Sequence, residues 1–434
     1  MEPSVIEELR LTAFKSFRDA ALPIDDLTLV VGRNGSGKSN ALDGLWALAR
    51  LADGEEIRDA LDGGREGPAV RGGAISCAPF GSSSFSLGCT VRTGEMVVDL
   101  DVTVQTEPLV QVVSERLMIG GQEVLGTEQP RQDSSDIAAR WANDQRGPNP
   151  ALTFRANRLL ATQVLSRVPA TAAGQRIHIA AAQVVAALRA VFVLDPVPHL
   201  MRQYVPRRDI LLRRSADNLS AAVTSLLGQP ETRDRLRTAL GHLNEQKVVD
   251  VTTSRSELDD VMLTLIERFQ GDDYQVPARI MSDGTLRFLA ILAALMQAPT
   301  LDTLPEPLAA DDPVGQTTVV VEEIEDFLHA SQASMLINLV RDEVTRRRVR
   351  ALATAHSPAL LDALTGEEHR NVIVCQRDVS GRSTLTRLVD LPNYVDIISK
   401  GTLGRAAEAG RLRREETPSD PAALLDRLFG GPTS

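Results

Sequence analysis

The segment Gly32-Arg33-Asn34-Gly35-Ser36-Gly37-Lys38-Ser39 constrains the fold of this chain more than any other. It fits G-x-x-x-x-G-K-[ST] in full. It follows the apolar run 27–31 and opens a helical pattern from 38 to about 51 that Asp53-Gly54 ends. Glycines let the backbone curl until successive N–H groups face one concavity, which suits a polyphosphate at a helix N-terminus. Lys38 places a point charge at the β- and γ-phosphates, and the Ser39 hydroxyl can ligate Mg²⁺. A Gly-rich turn that binds nothing is the alternative, and it needs neither the lysine nor the hydroxyl.

Composition bounds the rest. At 434 residues, 43% hydrophobic and 24% charged, the chain can bury one large core or two closely joined ones. Aromatics are only 3%, so that core must be aliphatic. Cys77, Cys89 and Cys375 are too few and too scattered for a disulfide scaffold or a zinc cluster, which fits a reducing, cytoplasmic setting. The first residues lack the basic and apolar regions of a signal peptide. The longest apolar stretch, 177–194, is interrupted by His178, Gln183 and Arg189, so no membrane span is expected. Of 47 basic residues only Lys15, Lys38, Lys247 and Lys400 are lysine. A coding bias towards arginine accounts for that, but a retained lysine marks a position worth inspecting.

Strands are expected at 5–14 and 27–31, and an antiparallel meander at 84–92, 96–105 and 110–119. The stretch 120–150, dense in Gly, Gln, Asp, Ser and Pro, reads as a surface excursion. From 155 to about 245 the pattern is helical, with a Pro-rich break at 195–206. A strand at 248–253 and a strand or helix at 261–267 precede an apolar helix at 283–297. Short apolar runs at 317–321, 350–354 and 372–376 alternate with helices, as in a parallel sheet.

The first of those runs ends in Glu322-Glu323, the form of a Walker B element: one carboxylate for the Mg²⁺ shell, the next for the attacking water. Paired acids after a strand are commonly just a solvated strand end. Two neighbours favour function. Ser282-Asp283-Gly284 opens the apolar helix some forty residues upstream, where a helix N-terminus can cap a γ-phosphate. His356 directly follows the next buried strand.

Together, Phe14-Lys15-Ser16-Phe17, GRNGSGKSN, MSDGTLRFLAILAAL, VVVEEIEDFLH and TAHSPALL resemble the ABC-type ATPases of the RecF, SMC and OLD group, over roughly 1–105 and 245–410. The resemblance is to the compact members without coiled-coil arms. It implies an α/β P-loop NTPase of ABC type, with a mixed or parallel sheet core, an antiparallel β subdomain and an inserted helical lobe. The implied units are an N-terminal ATPase lobe (1–120), an insertion and helical lobe (121–245), a C-terminal ATPase lobe (246–410) and a tail (411–434). It further implies ATP held by Gly32, Arg33, Asn34, Gly35, Ser36, Gly37, Lys38, Ser39 and Asn40, with Lys15, Ser16 and Phe17 against the base or phosphates. Mg²⁺ falls to Ser39 and Glu322, and catalysis to Glu323 and His356 with Lys38. Ser282, Asp283 and Gly284 would act in trans on the ATP of a second protomer, in a homodimer or higher even oligomer. Glu322 stands where most such proteins have Asp, and Asp283 where the usual signature has Gly. Gln105 and Gln111 are positional candidates for a Q-loop glutamine.

OLD proteins carry a Toprim nuclease after the ATPase, and the roughly 75 residues after Pro358 leave no room for one. A separate effector, a nuclease or toxin, is therefore expected. The net charge of −11 argues against a general DNA binder. Basic clusters at Arg207-Arg208 and Arg213-Arg214 are the best candidates for nucleic-acid contact, although such runs are commonly solvated faces. The expected role is an ATPase coupled to nucleic-acid sensing or clamping in DNA repair or phage defence. The alternative is an ATP-gated scaffold with slow turnover and no DNA contact.

Overall fold

The computed structural model describes residues 2–63, 70–128, 135–243, 247–298, 313–326, 329 and 332–413. Five parallel strands form its centre, in the order Val191–Leu194, Thr318–Val321, Arg350–Ala355, Leu27–Val31 and Val372–Arg377. Leu27–Val31 and Thr318–Val321 are buried at every residue, as strands covered on both faces must be. Their period of two divides the core. Val30, Val320 and Leu352 face the helices Lys38–Ala52 and Ala172–Arg189. Leu29, Val31, Val319 and Val321 face the helices Asp283–Gln297 and Ala333–Arg347. In such a doubly covered sheet, ligands bind beyond the carboxyl ends of the strands. Gly32, Glu322 and His356 are the residues that leave three adjacent carboxyl ends. One sheet edge therefore gathers motifs that the sequence spreads over more than three hundred residues.

Beyond Val372–Arg377 the sheet continues through Ser383–Arg387, Phe17–Pro23 and Val5–Phe14 into an antiparallel wing. The wing runs Ser84–Thr93, Met96–Gln105, Gln111–Ile119, Gln122–Thr127, Asp136–Trp141 and Ala151–Arg155, completing fourteen strands among the described residues. The mixed α/β architecture expected from the motifs is thus observed. Strands 5–14 and 96–105 and the helix 283–297 have the bounds read from the sequence.

Two local readings change. The stretch 120–150 contains strands Gln122–Thr127 and Asp136–Trp141, which extend the meander. Val124 and Leu125 are buried in the first strand, and Ile137, Ala139 and Trp141 alternate with more exposed residues in the second, so polar composition hid two partly buried strands. Val191–Leu194, read with the helical stretch, is the edge strand of the parallel core. It begins one residue past the helix that ends at Arg189, and only Val191-Phe192-Val193 marks the switch. A second antiparallel sheet (Val205–Pro206, Lys247–Arg255, Asp260–Phe269 and Asp272–Pro277) packs with helices Leu219–Leu226 and Pro230–Leu243. All three cysteines are free and buried. Among the described residues no helix is long and apolar enough to cross a membrane.

Candidate functional site

The phosphate loop is shaped by the strands beside it. Gly37 adopts φ 114°, a conformation that L side chains avoid, and a Cβ there would lie 2.3 Å from Ser383 Oγ. A Cβ on Gly32 would meet the Cys375 carbonyl oxygen at 2.3 Å. Ser383 Oγ lies 2.6 Å from the Ser36 carbonyl oxygen and 2.8 Å from Ser16 Oγ, which also accepts from Asn40 Nδ2. Arg33, Asn34 and Gly35 form the exposed rim, whereas Ser36 and Lys38 are buried. Lys38 Nζ donates to the Gly32 carbonyl at 2.9 Å, so its ammonium bridges the loop.

The Ser39 hydroxyl donates to Glu322 Oε1, joining the loop to the Walker B strand. Around this pair lies a charge network. Arg71 Nη1 donates to both Glu322 oxygens (2.9 and 3.2 Å), its Nε to Asp43 (3.0 Å) and its Nη2 to the Ser39 carbonyl (3.0 Å). Lys15 Nζ donates to Asp43 Oδ2 at 2.6 Å and to the Arg71 carbonyl at 2.9 Å. Burial opposes the Arg71 charge, but the bonds to Asp43 and then Glu322 outweigh it and hold the guanidinium pKa above its ordinary value. Two hard oxygen ligands on adjoining elements suit Mg²⁺, which takes one or two protein oxygens and completes its shell with phosphates and water. Among the described residues no group of three or more His, Cys, Asp or Glu could hold a metal.

Glu323 has φ 49°, a strained setting for a residue with a side chain, and its N–H donates to Thr354 Oγ1 at 2.8 Å. Its carboxylate has no hydrogen bond or ion pair among the described residues. His356 leaves the neighbouring strand with its side chain 47% exposed. Ser282 caps the helix Asp283–Gln297 by accepting the Thr285 N–H at 3.1 Å, while Gly284 is buried. Arg202 Nη2 donates to the Met281 carbonyl and to Asp283 Oδ1, both at 2.7 Å. No hydrogen bond or ion pair links Ser282, Asp283 or Gly284 to the P-loop among the described residues.

Other expected site residues fall elsewhere. The Phe17 side chain is fully buried in the core and has no face to offer a base, which corrects its placement against the nucleotide. Lys15 carries its ammonium to Asp43 instead of the loop. Arg207 and Arg208 are exposed and have no ion pair among the described residues. Arg213 is held between Asp209 (2.5 Å) and Asp217 (2.7 Å). Arg214 stacks 5.1 Å from the Trp46 ring near Asp195, and burial pushes its pKa below the usual value. Gln105 and Gln111 pair with each other across the wing.

Asp43, Arg71, Arg202 and Glu325 were not singled out from the sequence. Asp43 had a signal, being the one acid in the P-loop helix, and Glu325 had one in its place within the quoted EEIE run. Arg71, in a Gly-rich loop, had none.

Residues 151–362 match the family described as "AAA domain, putative AbiEii toxin, Type IV TA system", and residues 5–66 match "AAA ATPase domain". No curated protein matches the chain. Among solved structures, the chain is similar to the SMC head domain from Thermotoga maritima (13% identity, 88% of this chain and 98% of that chain, TM-score 0.41). It is similar also to the Smc head domain with an extended coiled coil bound to the C-terminal domain of ScpA, derived from Pyrococcus furiosus (11%, 88% and 96%, TM-score 0.45). A third is the recombination mediator protein RecF-ATPrS of the RecFOR pathway (12%, 88% and 98%, TM-score 0.38).

Proposed function

We propose that this ABC-type P-loop ATPase, whose two matched segments are AAA-family domains, binds ATP with Mg²⁺ and hydrolyses it to ADP and phosphate between two copies of the chain. The observation that carries the reading is the Ser39–Glu322 hydrogen bond, with the unpaired Glu323 carboxylate on the next residue. The bond joins a hydroxyl of the phosphate loop to a carboxylate of the Walker B strand, and the next residue carries a carboxylate without a partner among the described residues, which supports the reading.

ATP would sit with its phosphates under the loop N–H groups. Lys38 would exchange its carbonyl partners for phosphate oxygens. Mg²⁺ at Ser39 and Glu322 would neutralise charge on the β- and γ-phosphates. Glu323 would orient a water in line with the γ-phosphorus and accept its proton as the bond to the bridging oxygen breaks and ADP leaves. His356, exposed beside Glu323, would contact the γ-phosphate or the water. Ser282 is exposed at the N-terminus of its helix, which leaves it open to the ATP of a second copy.

Nucleic-acid sensing in repair or phage defence, in the cytoplasm and with a separate nuclease or toxin, is the role we infer. Exposed Arg207 and Arg208 are its surface candidates. A second reading is an ATP-gated scaffold without DNA contact. The acid partners of Arg213 and Arg214 favour it, because they remove half of the expected basic patch.

Glu323→Gln tests the enzyme. ATP hydrolysis should fall at least ~100-fold, while ATP binding persists and the chain dimerises with ATP. Hydrolysis at the parent rate would overturn the assignment. Lys38→Ala should abolish ATP binding. The ATPase rate with and without duplex DNA separates the roles: stimulation favours sensing, and indifference favours the scaffold.

A further inference from the structure

Glu325 lies in the turn after the Walker B strand, is 6% exposed, and reaches across to the loop that carries His356. Its Oε1 accepts the backbone N–H of His356 and that of Ser357 (2.6 Å), and the same oxygen lies 3.4 Å from His356 Nδ1. Its Oε2 is buried without a hydrogen-bond partner among the described residues. A carboxylate buried with one oxygen unpaired is costly unless the site uses it. A helix cap does not account for it, because Ser357 caps the following helix with its own hydroxyl, which accepts the Leu360 N–H. His356 Nε2 has no partner among the described residues and its ring is half exposed.

We propose that Glu325 is a positioning residue for His356: it fixes the turn through two backbone N–H groups and holds the imidazole proton on Nδ1, so that Nε2 is the nitrogen presented to the nucleotide. The physical basis is general, since the ring nitrogen that carries the proton is set by the partner of the other nitrogen, and a base is oriented by a third group. Because Oε1 already serves two N–H groups, the open Oε2 is the oxygen of the same carboxylate left to accept Nδ1–H if the ring turns towards it. The inference rests on the ATPase reading for its consequence, but not for its geometry.

Glu325→Gln separates positioning from mere structure. The amide oxygen can still accept both backbone N–H groups, so the turn should persist. Its NH₂ would now donate to Nδ1 and drive the proton to Nε2. With ¹⁵N-labelled histidine in the full chain at alkaline pH, His356 (identified by the signal missing from His356→Gln) should be the Nδ1–H tautomer in the parent and Nε2–H in the variant. Hydrolysis should lose kcat at least tenfold with KM for ATP unchanged. Glu325→Gln combined with His356→Ala should be no slower than His356→Ala alone. An Nε2–H parent overturns the proposal without recourse to any variant of Glu325, and so does an additive double variant. A parent that binds ATP but never hydrolyses it would sink the ATPase reading, while the tautomer still decides the role of Glu325.

Discussion

Asp43, beneath the phosphate loop, and Glu115, in the antiparallel wing, are both buried carboxylates, yet their surroundings have little in common. Asp43 is matched by two cations, Lys15 at 2.6 Å and Arg71 at 2.9 Å. Glu115, 1% exposed, has no cation partner among the described residues. Among the described residues it accepts the backbone N–H groups of Leu160 (2.7 Å) and Ala161 (2.6 Å), at the start of the helical turn Leu160–Gln163. Burial pushes its pKa up to about 7 against those two bonds. The same group type is thus balanced by charge in one half and only by amide dipoles in the other. Charge balance near the loop leaves Arg71 and Glu322 paired, in an arrangement that the proposed cation and phosphates would reorganise. The wing has no such freedom, and its carboxylate ties the strand Gln111–Ile119 to the segment that follows the last wing strand.

Neutralising each carboxylate without changing its shape tests this contrast. Asp43→Asn should be the more damaging change. It leaves Lys15, 11% exposed, and Arg71 without their common partner. Removing one member of a buried pair costs about 3–5 kcal/mol, and the half-exposed Arg71 places this case near the low end, about 3 kcal/mol. Urea unfolding of parent and variant at pH 7 measures it. A difference under about 1 kcal/mol would mean that the loop half is not held by charge pairing.

Glu115→Gln should act in the other direction. The Glu115 carboxyl holds its proton more tightly when folded, with a pKa near 7 against the ordinary 4.5. Its contribution to stability is therefore complete below pH 4.5, falls as the pH rises through 7, and stays lost above. That loss amounts to at most about 3 kcal/mol. Gln is neutral throughout and its oxygen can accept the same N–H groups, so the variant should have a flatter Tm–pH profile between 5 and 7. It should be no less stable than the parent at pH 8. Parallel profiles would show that the two amide dipoles fully offset burial, and the contrast with Asp43 would vanish.

The loop half was largely legible in the sequence because its constraints are local and steric. Gly37 has room for no side chain, Leu27–Val31 must be apolar on both faces, and Ser282 sits one residue before an apolar helix. The wing was half legible: strands 84–93 and 96–105 alternate cleanly, but 122–127 and 136–141 are short and mostly polar on their outer face. Ion-pair partners were not legible in either half. Arg71 meets Glu322 across 251 positions and Glu325 meets His356 across 31. Only the sheet order, which sets Thr318–Val321 beside Arg350–Ala355 and one strand from Leu27–Val31, makes such pairs neighbours. Phe17 failed for the complementary reason: a motif gives its position in the chain, but the packing decides which way its ring turns.

The smallest expected effect belongs to Arg71, and it sharpens the comparison most. Arg71 is 48% exposed, so its pairs with Asp43 and Glu322 are screened by solvent, and Arg71→Ala should cost only about 1 kcal/mol. Asp43 keeps Lys15, and Glu322 keeps the Ser39 hydroxyl. The loss of one positive charge beside Glu322 should instead appear as sensitivity to divalent cations. Without nucleotide, millimolar MgCl₂ should raise the Tm of Arg71→Ala more than that of the parent, because the guanidinium no longer competes for the carboxylate. The same addition should leave the difference between Glu115→Gln and the parent unchanged, since no cation reaches that carboxylate. If Mg²⁺ shifts the parent and Arg71→Ala equally, Arg71 does not compete with a metal at Glu322. The pairing of charges under the loop would then be structural in the same sense as the cap in the wing.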